Sequence, residues 1–325
     1  MVRVAIDVMG GDHAPLEIIR GAVAAVSANH DLQVILVGRE EQVEQCLNEL
    51  NCPRERISLV PAADVIQNDD DPGLAVRNKQ GSSMVTALQL VRSGQAEAAL
   101  SAGNTGALMT AGVLFLGRLS GVSRPALLAV MPGFKGEPVL VLDVGANMDA
   151  RPEQMLQYAF MGSIYARKLL GRKAPRVALL NVGIEHNKGN SQAKKAYSLF
   201  KRYIPEFYGN IEGTEVFFNS ADVIICDGFV GNVLLKVSEG LSRGILGFLV
   251  RENGSSLRLQ LGAALLKPVL RDLSRKVDVR EYGGAPLLGV NGVCIKCHGS
   301  SRARAIELAL LKQVYPFVRL NLVNL

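Results

Sequence analysis

The chain has 325 residues, of which 48% are hydrophobic, with 33 glycines, no tryptophan and a formal net charge of +6. Such length and apolar content support a buried core and exclude a disordered polypeptide. The scarcity of aromatic side chains excludes base-stacking modules, so no nucleic-acid partner is expected.

Short apolar runs alternate with polar loops and amphipathic stretches along the whole chain. VRVAIDV (2–8) leads through MGGDH into APLEIIRGAVAAVSA, and LQVILVG (32–38) leads into REEQVEQCLNEL. EAALSAG leads into NTGALMTAGVLFLGRL, and PVLVLDVGAN (138–147) leads to a helix opened by Pro152 and closed near Gly171. RVALLNVG (176–183) and ADVIICDG (221–228) repeat the unit. Continuous apolar runs, in place of alternating ones, predict strands covered on both faces. The fold expected is α/β, a doubly wound and mainly parallel sheet, with 1–325 forming a single domain.

The first strand runs directly into glycines and lacks a signal peptide's apolar core and cleavage site, so a cytoplasmic protein with reduced cysteines is expected. No run reaches the roughly 18 apolar residues of a membrane span. The positive balance favours acidic partners: phosphates, an acidic protein or an anionic bilayer surface.

The loops after the strands share a composition. GGDH, SAGNTGA, DVGAN, NVGIEHNKGN and CDGFVGN are all rich in Gly, Asn and Asp. In open parallel sheets ligands bind beyond the carboxyl ends of the strands, where helix N-termini and free amides meet. All five loops are therefore expected on one rim that grips a small anion.

Familiar nucleotide and metal motifs are missing: there is no GxxxxGK[ST], no GxGxxG in the first turn, no HExxH and no zinc-spaced Cys/His quartet. CIKCH (294–298) matches the c-type haem pattern. Its alternation reads instead as a strand with Val293, Ile295 and Cys297 on one face and Cys294 on the other.

Taken in order, MGGDHAP, SSMV (82–85), SAGNTGA, LDVGAN, NVGIEHNKG, CDGFVGN, GGAPLLGVNG (283–292) and KCHGSS (296–301) give the chain an end-to-end resemblance to the bacterial PlsX family of phosphate acyltransferases. The resemblance implies a fold related to phosphotransacetylases and isocitrate dehydrogenases. It implies transfer of a fatty acyl group from acyl-acyl carrier protein to inorganic phosphate, the acyl phosphate feeding phosphatidic acid synthesis. A homodimer bound peripherally to the inner face of the membrane is implied too, with a membrane glycerol-phosphate acyltransferase downstream. The chain departs from the family before SSMV, where Lys79, Gln80 and Gly81 stand in place of an expected Lys-Lys-Asp.

That reaction asks a site to desolvate phosphate, align it and stabilise developing charge, since a thiolate departs without a strong acid. Gly103 and Gly106 are expected to admit the ligand to the backbone, with Asn104 and Thr105 as donors at a helix start and Ser101, Asn147 and Asn232 completing the phosphate and substrate contacts. Lys188 is the candidate cation for phosphate or the oxyanion. Asp227 would orient it or accept a proton, or else cap the next helix; His298 would donate or relay a proton, or else serve structure. Asp12, His13 and Asp143 are expected to organise the loops. No metal or cofactor is expected.

Residues 251–278 carry Leu257, Leu261 and Leu265 at helical spacing amid Arg258, Lys267, Arg271, Arg275 and Lys276. A protruding amphipathic hairpin serving membrane or dimer contact fits this pattern, and its basic face could also dock the acidic carrier protein. The rival readings are a nicotinamide-dependent hydroxyacid dehydrogenase on the same sheet and a non-catalytic scaffold at the membrane surface.

Overall fold

A computed structural model describes residues 1–251 and 279–321. The hairpin expected over 251–278, with Leu257, Leu261 and Leu265, lies outside the described residues apart from Arg251, which ends the helix Gly228–Arg251.

The described strands are β1 (Val2–Asp7), β2 (Leu32–Gly38), β3 (Ile57–Pro61), β4 (Ala98–Ser101), β5 (Ala126–Met131), β6 (Val139–Leu142), β7 (Val177–Leu180), β8 (Phe207–Ile211), β9 (Val223–Ile225), β10 (Ala285–Leu288) and β11 (Val293–Lys296). They form one sheet in the order β3-β2-β1-β4-β11-β10-β5-β6-β9-β7-β8. Inner strands are buried on both faces: Val4, Ile6, Leu128, Leu140 and Leu142 belong to one core layer, while Ala5, Leu127, Ala129, Val139 and Val141 belong to the other. This two-sided burial is the reason their sequences do not alternate. The outermost strands β3 and β8 are partly exposed and tolerate polar residues.

One expectation needs correction. β3, β2, β1, β4 and β11 are mutually parallel, and so are β6, β9, β7 and β8, but the two sets are joined through the antiparallel pairs β11–β10, β10–β5 and β5–β6. Following those pairings across, the second set runs opposite to the first. The loops after β1, β4 and β11 therefore leave one edge of the sheet, and those after β6, β7 and β9 leave the other. They do not share a single rim. What brings several of them together is the surface of the central strands.

Candidate functional site

The buried polar groups mark where that happens. Asp7, Ser83, Ser101, Asp143 and Lys296 are buried; Ser83 opens the helix Ser83–Arg92, and each of the others ends a strand or directly follows one. Over the centre of the sheet lies a cavity of about 570 Å³, floored by Leu127 and Ala129 of β5 and Ala285 of β10. Its walls are the loop after β4 with the head of helix Thr105–Ala111, the 144–148 loop after β6, one side of helix Gly228–Arg251, and the 296–299 turn after β11.

The loop after β4 is held from beneath. The Asp7 carboxylate accepts hydrogen bonds from the hydroxyls of Ser83 and Ser101, each at 2.6 Å, and Ser101 Oγ accepts from the backbone N–H of Gly103 at 3.0 Å. Asn104 caps the helix, its Oδ1 accepting from Ala107 N–H at 3.0 Å. Its Nδ2 is spent on the carbonyls of Gln67, Asn68 and Asp70, 3.1–3.3 Å away. The side chain expected to donate to a ligand instead braces the neighbouring loop. The glycines answer to protein contacts as well: a Cβ on Gly103 would come within 2.8 Å of Met84, and one on Gly106 within 2.7 Å of Pro72.

Asp143 organises the opposite wall. It is fully buried, and it accepts from the N–H groups of Leu127, Gly145, Ala146 and Asn147 and from Asn147 Nδ2, at 2.6–3.2 Å. Burial nevertheless holds its carboxyl above the usual range, against those donors. Asn147 spends Nδ2 on Pro125 O as well, at 2.6 Å, and lines an adjoining cavity, not this one. Asn232 lines the main cavity from the helix that follows β9.

The loop after β11 supplies the charge. Lys296 is the only lysine or arginine in the buried set among the described residues. Its ammonium donates to the carbonyls of Ala102, at 3.3 Å, and Cys297. Burial pushes it down to about 8; Lys236 adds to that, while Cys297, Asp7 and Asp12 oppose it. The sequence held a signal for this residue. The alternation in GVCIKC that puts Val293, Ile295 and Cys297 in one layer and Cys294 in the other also puts Lys296 on the Cys294 side, at the strand's end. Beside it, His298 Nδ1 accepts from Ser300 N–H at 3.1 Å, while Nε2 lies 2.5 Å from Lys236 Nζ and 3.4 Å from Glu239 Oε2. Burial pushes the thiols of Cys294 and Cys297 up to about 12, which keeps them protonated and unsuited to nucleophilic attack.

Three other expected residues stand apart from this cavity. Lys188 is half exposed, its Nζ 3.9 Å from Glu185, in a turn after β7 where Asn181 Nδ2 donates to Lys188 O at 3.1 Å and Asn210 Nδ2 of β8 donates to Glu185 O at 2.7 Å. Asp227 accepts from Val230 N–H at 2.8 Å, capping the next helix, and burial with the nearby Asp149 raises its carboxyl. His13 lies in the turn after β1 and does not line the cavity; its carbonyl accepts from Glu17 N–H at 3.2 Å. Asp12 docks that turn on the cavity wall, its N–H donating to Gly299 O at 2.8 Å.

The same sheet occurs in solved structures. A phosphotransacetylase from Streptococcus pyogenes matches with a TM-score of 0.65 at 15% identity, over 97% of this chain and 94% of that one. The EutD phosphotransacetylase from Staphylococcus aureus gives 0.61 at 14% identity, over 99% and 93%. The molecule thus has an α/β fold that also occurs in phosphotransacetylases, and the sequence comparisons go further. Over 310 residues the chain is 50% identical to the proteins named phosphate acyltransferase from Heliobacterium modesticaldum and Brevibacillus brevis, covering 95% of this chain and 92% of each relative. A family model described as fatty acid synthesis protein matches residues 2–322, and the chain belongs to that family, the PlsX phosphate acyltransferases.

Proposed function

We propose that the central cavity transfers a fatty acyl group from the thioester of an acyl carrier protein to inorganic phosphate, and that the acyl phosphate enters phosphatidic acid and phospholipid synthesis. The observation that carries this reading is Lys296, a buried cation bonded to backbone carbonyls and set between the loops after β4 and β11. A phosphate beside it would add its negative charge to those of Asp7 and Asp12, which already favour the ammonium.

In this reading a phosphate oxygen attacks the thioester carbonyl carbon. A C–O bond forms, the C–S bond breaks, and the carrier's thiolate leaves and takes up a proton. Lys296 and the head of helix Thr105–Ala111 hold phosphate, and the cavity's apolar floor excludes water around the reacting carbon. His298, with Nε2 facing Lys236 and Glu239, is the group placed to donate to the developing oxyanion or relay the proton. Asp7 and Asp143 position the two walls. Lys188 and Asp227, expected from the sequence as the chemical pair, are given no step here, because both stand outside the cavity.

The acidic carrier protein and an anionic membrane surface are proposed partners, supported by the net charge of +6 and by the basic 251–278 segment. No described helix is long and apolar enough to cross a membrane. A homodimer, and hand-over of product to a membrane glycerol-phosphate acyltransferase, complete the proposal. The test is direct: incubate the protein with palmitoyl carrier protein and phosphate, and trap acyl phosphate with hydroxylamine. Hydroxamate that depends on added phosphate is expected; thioester loss without it, or no loss at all, would end the proposal.

A further inference from the structure

A second cavity, of about 530 Å³, adjoins the first. The two share Met109 and Ala146 as lining residues, so they meet across that pair. Chemically they differ. The first presents Lys296, His298 and Lys236, whereas the second is walled mainly by Val76, Met109, Val113, Leu114 and Leu287. Val113 and Leu114, on the helix side, are 36% and 59% exposed. No carboxylate lines this cavity among the described residues, and its two cations, Arg77 and Arg124, are exposed side chains.

We propose that this second cavity houses the hydrocarbon tail of the acyl group. The inference rests on the acyl-transfer reading and deepens it. With the reacting carbonyl beside Lys296 and His298, the chain leaves the first cavity between Met109 and Ala146 and lies along Val76, Val113 and Leu287. The volume falls within the roughly 300–1,000 Å³ of ligand pockets. Chain length is then read here: each methylene taken from water strengthens binding roughly fourfold until the wall is reached.

The test fills the cavity from its exposed side. Val113→Trp and, separately, Thr110→Phe are assayed with butyryl and with hexadecanoyl carrier protein beside the unmodified protein, thermal melting serving as the check on folding. Both variants are expected to lose at least about tenfold in kcat/KM for the long substrate while staying within about twofold for the short one. Equal losses on both substrates, or no loss on either, would overturn the assignment. A binding arm runs independently of turnover: hexadecanoic acid should displace cis-parinaric acid from the unmodified protein and much more weakly from Val113→Trp. If the unmodified protein transfers neither acyl group, the acyl-transfer reading falls; the displacement arm still decides whether this cavity holds an alkyl chain, and equal displacement from both proteins would refute that too.

Discussion

Ser101 Oγ donates to Asp7 Oδ2 at 2.6 Å and accepts from Gly103 N–H at 3.0 Å, so the end of β1 sets the shape of the turn after β4. The strands are parallel neighbours, with Asp7 in register with Ser101. A carboxylate buried at that register position reaches both Ser101 and Ser83, and the turn that faces the cavity inherits its geometry from a residue that never touches the cavity. Asp7→Ala would leave two serine hydroxyls buried without their acceptor, at about 1–3 kcal/mol of stability. It should also raise the phosphate KM. Urea denaturation and phosphate kinetics would check both effects, and unchanged values in both would remove Asp7 from the framework.

Lys296 makes the pH dependence specific. Its pKa in the fold, about 8, lies below the 10.5 ordinary for a lysine side chain. The charged form is thus disfavoured in the fold: the cost is fully present below about 8 and fades as pH rises through 10.5. Phosphate selects the charged form. Phosphate affinity should therefore fall as pH rises through about 8, and bound phosphate should move that midpoint upward. Lys296→Met should abolish the step, weaken phosphate by about 10- to 100-fold, and melt no lower than the unmodified protein at pH 7. A step that survives in the Met variant belongs to another group.

Asn104 joins two functions in one amide. Its Oδ1 caps a helix while its Nδ2 ties down the 67–70 loop. Losing the cap alone costs about 0.5–2 kcal/mol, and the freed carbonyls add to that. Asn104→Ala should thus lower stability as well as phosphate affinity, whereas Asn104→Asp, which keeps the cap oxygen, should keep more of the stability. Equal melting temperatures for the two variants would show that the cap contributes nothing here.

A comparison of two lysines places the anion. Lys188→Ala removes a half-exposed ammonium that sits by Glu185, and Lys296→Met removes a buried one within the cavity. A buried charge-assisted contact is worth more than a solvated one. Phosphate KM should therefore rise more in the Met variant. The opposite order would move phosphate to the turn after β7.

The five polar loops, the buried strands and the two faces of GVCIKC were legible because each is written within a few consecutive residues. Asp227 as a helix cap was legible on the same ground, since a cap bonds an amide three residues on. Lys296 was half legible: alternation assigned its face, but only the fold shows that this face opens onto a cavity there and buries a core elsewhere. Asp7 read as an ordinary strand end because Ser83 and Ser101, the partners that give it a purpose, lie far along the chain.

Local pattern alone thus determined the α/β architecture, the ligand-seeking composition of the turns and, through the order of its motifs, the family. Tertiary structure decided which turns meet. β10 enters the sheet from late in the chain and pairs antiparallel with both β11 and β5, and β5 pairs antiparallel with β6, so the second set of strands runs against the first. Strand direction follows from pairing between distant segments, and hydrophobic periodicity is the same read in either direction. For that reason the turns after β4, β6 and β11 and the helix that follows β9 converge over the middle of the sheet while the turn carrying Lys188 is left outside, a division that no stretch of sequence contains.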